Sequence, residues 1–126
     1  MCDMCLRRRI MERFLPFVTR TQCCKIWLRD ILYIRQDGRM LYAVTESEIF
    51  GRYDKIKSVE KYLDRRFYPC MKSLIINFQQ VSIMKDQTIF FKNGEIIPLG
   101  RQNYVHTKQA FALYIKNPCN SNDSVV

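Results

Sequence analysis

Three short segments of this sequence place a basic side chain beside a small or polar neighbour where an apolar run gives way to a loop: Asp37-Gly38-Arg39, Met71-Lys72-Ser73 and Gly100-Arg101-Gln102-Asn103. Arg, Lys, Asn and Gln are the side chains that address phosphates and base edges, and loops held by a rigid sheet can carry them outward. An isolated Arg after a strand is ordinarily just solvated, so each segment is weak alone. Their order and surroundings carry the weight.

Catalytic chemistry has little to stand on. The sole histidine, His106, falls within a helical pattern near the end of the chain. No G-x-S-x-G, P-loop, H-E-x-x-H or Rossmann glycine pattern occurs. The acids are scattered among bases beside turns, where a paired-carboxylate site would need two of them converging in a cleft. The chain reads as a non-enzyme that needs no cofactor.

Six cysteines in 126 residues raise the question of disulfides or metal. No apolar signal segment precedes them, because Arg7, Arg8 and Arg9 interrupt the start, so a cytoplasmic location and reduced thiols are expected. Cys2 and Cys5 have C-x-x-C spacing, but the candidate second half, Cys23 and Cys24, is an adjacent pair whose side chains diverge on a strand. Zinc is a poor fit and no metal is expected. No apolar run approaches the ~18 residues of a spanning helix, so no membrane insertion is expected.

Twenty-one Lys and Arg against twelve Asp and Glu give a net charge of +9, which makes nucleic acid the first partner to consider, with mere solubility as the alternative. The length suits one domain, and seven Tyr with eight Phe favour strands. Residues 1–13 read as a basic leader without a clear period, 14–116 as the domain and 117–126 as a polar tail.

Short apolar stretches bounded by turn residues predict strands over Phe14 to Thr19, Cys24 to Leu28, Ile31 to Arg35, Arg39 to Thr45 and Glu48 to Arg52. Asp37-Gly38 predicts a tight hairpin. Ile56, Val59 and Leu63 predict a short amphipathic helix. A second β block follows at Leu74 to Asn77, Val81 to Met84, Thr88 to Phe91 and Glu95 to Leu99, with turns at Lys85-Asp86 and Asn93-Gly94. Tyr104, Phe111, Tyr114 and Ile115 then predict one face of a terminal helix ended by Pro118.

The run Asp30-Ile31-Leu32-Tyr33-Ile34, then Arg39, then Phe67, Ser73 and Asn77 at their mutual spacing, then Asn93-Gly94 through Pro98 to Gly100-Arg101, resembles the LytTR DNA-binding domain over about Phe14 to Ile115. The resemblance implies a mainly β fold of elongated, stacked antiparallel sheets with a short internal helix and a C-terminal helix. It also implies a bacterial transcriptional regulator that inserts loops into the grooves of double-stranded DNA, with two copies on repeated half-sites. By position, Arg39, Lys72 and Arg101 match base-reaching loops, and Ser73, Gln102 and Asn103 neighbouring phosphate contacts. Arg52, Tyr53 and Lys55 match a further backbone-contact region. Asn77 is expected to satisfy buried backbone groups rather than touch DNA, and Trp27 and Phe90-Phe91 to serve packing.

Two departures from the family pattern bear on base preference: Pro69 and Met71 replace a basic residue and a His, and Gly38 replaces a longer polar side chain. The residues before Phe14 are too few for the phosphorylatable receiver domain that often precedes this module, so control is expected through abundance, self-association or a regulatory protein partner. Two rivals remain: a protein-interaction module that kept the fold and lost DNA binding, and a single-strand binder using Trp27 and exposed tyrosines. Elemental analysis of purified protein is expected to find no stoichiometric zinc, and one zinc per chain would overturn the thiol assignment.

Overall fold

A computed structural model describes residues 13–117. The basic leader, Cys2, Cys5 and the tail from Pro118 lie outside the described residues. The chain forms β1 (Phe14–Val18), β2 (Cys23–Trp27), a 3-10 turn (Leu28–Asp30), β3 (Ile31–Asp37), β4 (Met40–Thr45) and β5 (Ile49–Tyr53). A longer 3-10 segment (Ile56–Tyr62), β6 (Phe67–Met71), β7 (Leu74–Asn77) and a 3-10 turn (Phe78–Gln80) follow, then β8 (Val81–Lys85), β9 (Thr88–Phe91), β10 (Ile96–Pro98) and α1 (Arg101–Lys116). The architecture is mainly β, as expected. No described helix is long and apolar enough to cross a membrane.

A five-stranded antiparallel sheet in the order β5-β4-β3-β7-β6 lies at the centre. Its middle strand is buried from Ile31 through Ile34 without alternation, because both faces of the sheet are covered. On one face Ile31, Ile34, Leu41, Ala43 and Ile75 pack with Leu15, Phe17 and Ile26 of the β1-β2 hairpin and with Ile56 and Val59. On the other, Leu32, Tyr33, Val44, Leu74 and Ile76 meet the β10-β9-β8 sheet and the inner side of α1. A bulge between Ile31 and Tyr33 lets Leu32 and Tyr33 both enter this second cluster.

Several local expectations change. The internal helix is 3-10, and Ile56, Val59 and Tyr62 recur every third residue, the period at which a 3-10 helix stacks side chains. The strand β6 was not anticipated. It contains Pro69, which is tolerated because β6 is an edge strand with an irregular register at Pro69 and Met71. The turn after β8 falls at Asp86-Gln87, one residue later than expected, since Lys85 pairs with Thr88. On α1, Tyr104, Phe111 and Tyr114 are half-buried as predicted, but Ile115 is 55% exposed. The inward position is taken instead by Thr107, three residues after Tyr104.

Gly38 has φ 63 and Arg39 is not among the positive-φ residues, so the two-residue β3-β4 turn has its left-handed residue first, as type II′ requires. Asn93-Gly94 acts differently. The Gly94 amide donates to Phe91 O and the Phe91 amide to Glu95 O, which closes a three-residue loop with Gly94 as the left-handed bulge residue, φ 97.

Asn77 is fully buried at the end of β7. Its Nδ2 donates to Leu28 O at 3.1 Å and Ile31 O at 2.7 Å, and its Oδ1 accepts from the Gln79 amide at 2.9 Å. One side chain thus ties the 3-10 turn entering β3 to the one leaving β7. Asn77→Ala would remove a partner from two carbonyls and one amide, of which Leu28 O keeps the Ile31 amide, and we expect a loss of about 3 kcal/mol of stability, read from urea unfolding midpoints.

Candidate nucleic-acid interface

Antiparallel pairing brings the end of β3, the start of β4, the end of β5, the end of β6 and the start of β7 to one end of the central sheet. Arg39 lies in the β3-β4 turn, Lys72 and Ser73 link β6 to β7, and Tyr53 closes β5 just before Lys55. All five are exposed, Tyr53 by 80%. The structure therefore gathers residues that are up to 34 positions apart in sequence, from Arg39 to Ser73.

Gln36 holds this end together. Its amide donates to Ser73 O at 2.9 Å, and its Nε2 donates to Gly38 O at 3.3 Å and Asp54 O at 3.0 Å. Its Oε1 accepts from the Ile56 amide at 2.9 Å. A further backbone bond runs from the Asp54 amide to Arg39 O at 3.1 Å. No sequence signal marks Gln36, since the apolar pattern ends at Arg35.

The acids at this end are directed at other bases. Asp37 lies 3.9 Å from Arg35, whose guanidinium also stacks 4.3 Å over the Tyr42 ring. Asp54 pairs with Arg52 at 2.9 Å. Burial opposes ionisation of Asp54, but the Lys55 amide, the Ser58 hydroxyl and the Arg52 guanidinium outweigh it and hold the carboxyl below its usual range. Among the described residues, Arg39, Lys55, Lys72 and Arg101 have no ion-pair partner.

Arg52 differs from those four. Its guanidinium also reaches Pro16 O at 3.5 Å and packs 4.7 Å over the Phe17 ring, so it fastens β5 to β1 and is largely spent within the protein. Gly51 beside it sits close under the Tyr42 ring, which a Cβ there would meet at 3.0 Å and would have to displace slightly.

Arg101, Gln102 and Asn103 form the exposed first turn of α1. The other end of the helix sits at the start of β6: Arg65 donates to Asn117 O at 2.9 Å and stacks 4.6 Å over Tyr114, while Phe111 and Tyr114 pack on Phe78 at 5.3 and 5.5 Å. The helix packs against β6. The Tyr33 hydroxyl donates to Glu95 at 2.5 Å, which ties β3 to the segment that enters β10. Burial, and then the Glu95 carboxylate, push Tyr33 up to about 12, which keeps it a donor.

The sequence pattern of the LytTr DNA-binding domain matches residues 21–112. This chain belongs to the LytTR family. Its fold is similar to the LytTr DNA-binding domain of a protein described as a methyl-accepting/DNA response regulator from Bacillus cereus. The TM-score is 0.64 at 15% identity, over 79% of this chain and 96% of that one. A search of curated proteins finds no match. LytTR domains are DNA-binding domains, which accords with the basic sheet end.

The aromatic residues expected to serve packing, Trp27, Phe90 and Phe91, are buried or half-buried. Phe91 is buried, and Trp27 meets Phe14 edge-on at 5.6 Å on the β1-β2 hairpin. Cys23, Cys24 and Cys70 are thiols; burial pushes Cys70 up to about 11. Gln36→Leu is expected to keep the sheet and to cost about 2 kcal/mol, with faster hydrogen exchange at the Ile56 amide, whose side-chain acceptor is removed.

Proposed function

We propose that this LytTR domain is a cytoplasmic transcriptional regulator that binds duplex DNA in a sequence-specific way through the loops at one end of its central sheet. Arg39, Lys72 and Arg101 reach base edges, while Ser73, Gln102, Asn103, Tyr53 and Lys55 contact the sugar-phosphate backbone. Arg52 contributes positive field and supports the β5 end. The observation that carries this reading is the clustering of exposed, unpaired cations on loops that Gln36 braces through main-chain bonds. A rigid frame with charged tips suits groove insertion, because phosphate contacts set orientation and only fixed side chains discriminate bases.

Five strands at about 4.8 Å spacing make a sheet end about 19 Å wide, less than the ~34 Å of one DNA turn. One copy therefore covers one half-site, and two copies on repeated half-sites supply the rest of the specificity. Regulatory input comes from self-association or a partner protein.

Four exposed cations at about 0.9 released counterions each predict a log-log salt slope of about 3.5 per copy. A flat response would remove the DNA reading and favour a protein-interaction module. Selection from a random duplex pool should then yield a preferred half-site. On that site Arg101→Ala is expected to cost on the order of 1 to 3 kcal/mol and to relax one base position. Lys55→Ala should weaken all duplexes alike and reduce the slope by about one unit. Both remove one charge, so equal losses on every sequence would make Arg101 a counter-charge only.

A further inference from the structure

The two-residue β8-β9 turn is strained in a way its sequence does not require. Asp86 and Gln87 have φ 53 and 56, and they are the only described residues other than glycine with positive φ. Both central residues left-handed is the type I′ pattern, for which Asn-Gly is the relaxed choice. A Gln in that region carries a steric cost and persists where the surroundings hold it.

Gln87 is held through Leu99. The Leu99 amide donates to Gln87 O at 2.9 Å, and Gln87 Nε2 donates to Leu99 O at 3.2 Å, so one residue satisfies both backbone polar groups of the other. Leu99 is the last buried residue before α1. Gly100 follows as the N-cap with no side-chain cap hydrogen bond, and a Cβ placed on it would meet nothing within 4 Å. The first turn of α1 therefore lacks the side-chain cap that fixes most helix starts. Its entry angle is set one residue earlier, at Leu99.

We propose that Gln87 is a positioning residue for Arg101: the strained turn is kept so that the Gln87 side chain can lock Leu99, and through it aim the first turn of α1 at the DNA. This rests on the reading that Arg101 contacts a base edge. Gly at 87 would relax the backbone and could still supply its carbonyl to the Leu99 amide, but it has no side chain to hold Leu99 O. Glu at 87 would keep the strain and the size, but its carboxylate cannot donate.

The test uses the full chain with Gln87→Gly, Gln87→Glu and Arg101→Ala, measuring thermal unfolding and the ratio of affinities for the selected half-site and a scrambled duplex. Taking the ratio cancels the uniform effect of the added Glu charge. Gln87→Gly is expected to unfold at a temperature equal to or a few degrees above the unsubstituted protein. Both Gln87 variants are expected to lower the ratio by about tenfold, the scale of one misplaced base contact. In the Arg101→Ala background neither should change the ratio further, because the aimed side chain is already gone. The proposal is overturned if the Gln87 variants leave the ratio intact while Arg101→Ala lowers it, or if Gln87→Gly loses stability and weakens both duplexes equally. If Arg101→Ala itself leaves the ratio unchanged, the base-contact reading fails and this inference falls with it.

Discussion

Three hydrogen bonds from the Asn77 amide organise the centre of the molecule. The strand end at Asn77 is buried, so every backbone group where the chain turns there needs a partner inside the protein. At the start of β3 and the end of β7 the chain makes short 3-10 turns, each closed by one backbone bond, from the Ile31 amide to Leu28 O and from the Val81 amide to Phe78 O. Asn77 supplies two donors to one turn and an acceptor to the other. That fixes β3 beside β7, and with them the two hairpins at the far end of the same strands.

The far end inherits its geometry from this arrangement and adds an electrostatic division of labour. Arg35 and Arg52, on the strands, are matched by Asp37 and Asp54 and stack on Tyr42 and Phe17. Arg39, Lys55 and Lys72, on the turns, are left to solvent. Charges on the strands hold the frame, and charges on the turns are available to something outside it. Net charge alone could not separate these two populations, since it counts them equally.

Much of the fold was legible because the signals were local. Gly38 in a two-residue turn, the apolar runs of β3 and β4, and the helix after Pro98 each follow from residues adjacent in sequence. The spacing of Phe67, Ser73 and Asn77 carried the family, and Asn77 was expected to bind backbone, as it does. What was not legible depended on context. Pro69 hid β6, because only the finished sheet makes that strand an edge. Ile115 fitted the helical face by spacing, yet the buried line runs through Tyr104, Thr107, Phe111 and Tyr114 and leaves Ile115 beside it. Of the candidate site, the tips Arg39, Lys72 and Arg101 were readable as charged residues at turns, but Gln36 and Gln87 were not, since an amide's role lies in what folding sets across from it.

All of the bonds that Gln36 makes at the sheet end go to main-chain atoms: the carbonyls of Gly38, Asp54 and Ser73, and the amide of Ile56. The frame is therefore indifferent to most side chains that the turns display. Replacing the residue at 39, 55 or 72 changes what is presented without loosening what presents it. Such a scaffold can drift to new targets by single substitutions, each tried without the penalty of unfolding. Within a lineage of related chains, the tips are then free to diverge quickly while the brace behind them stays still.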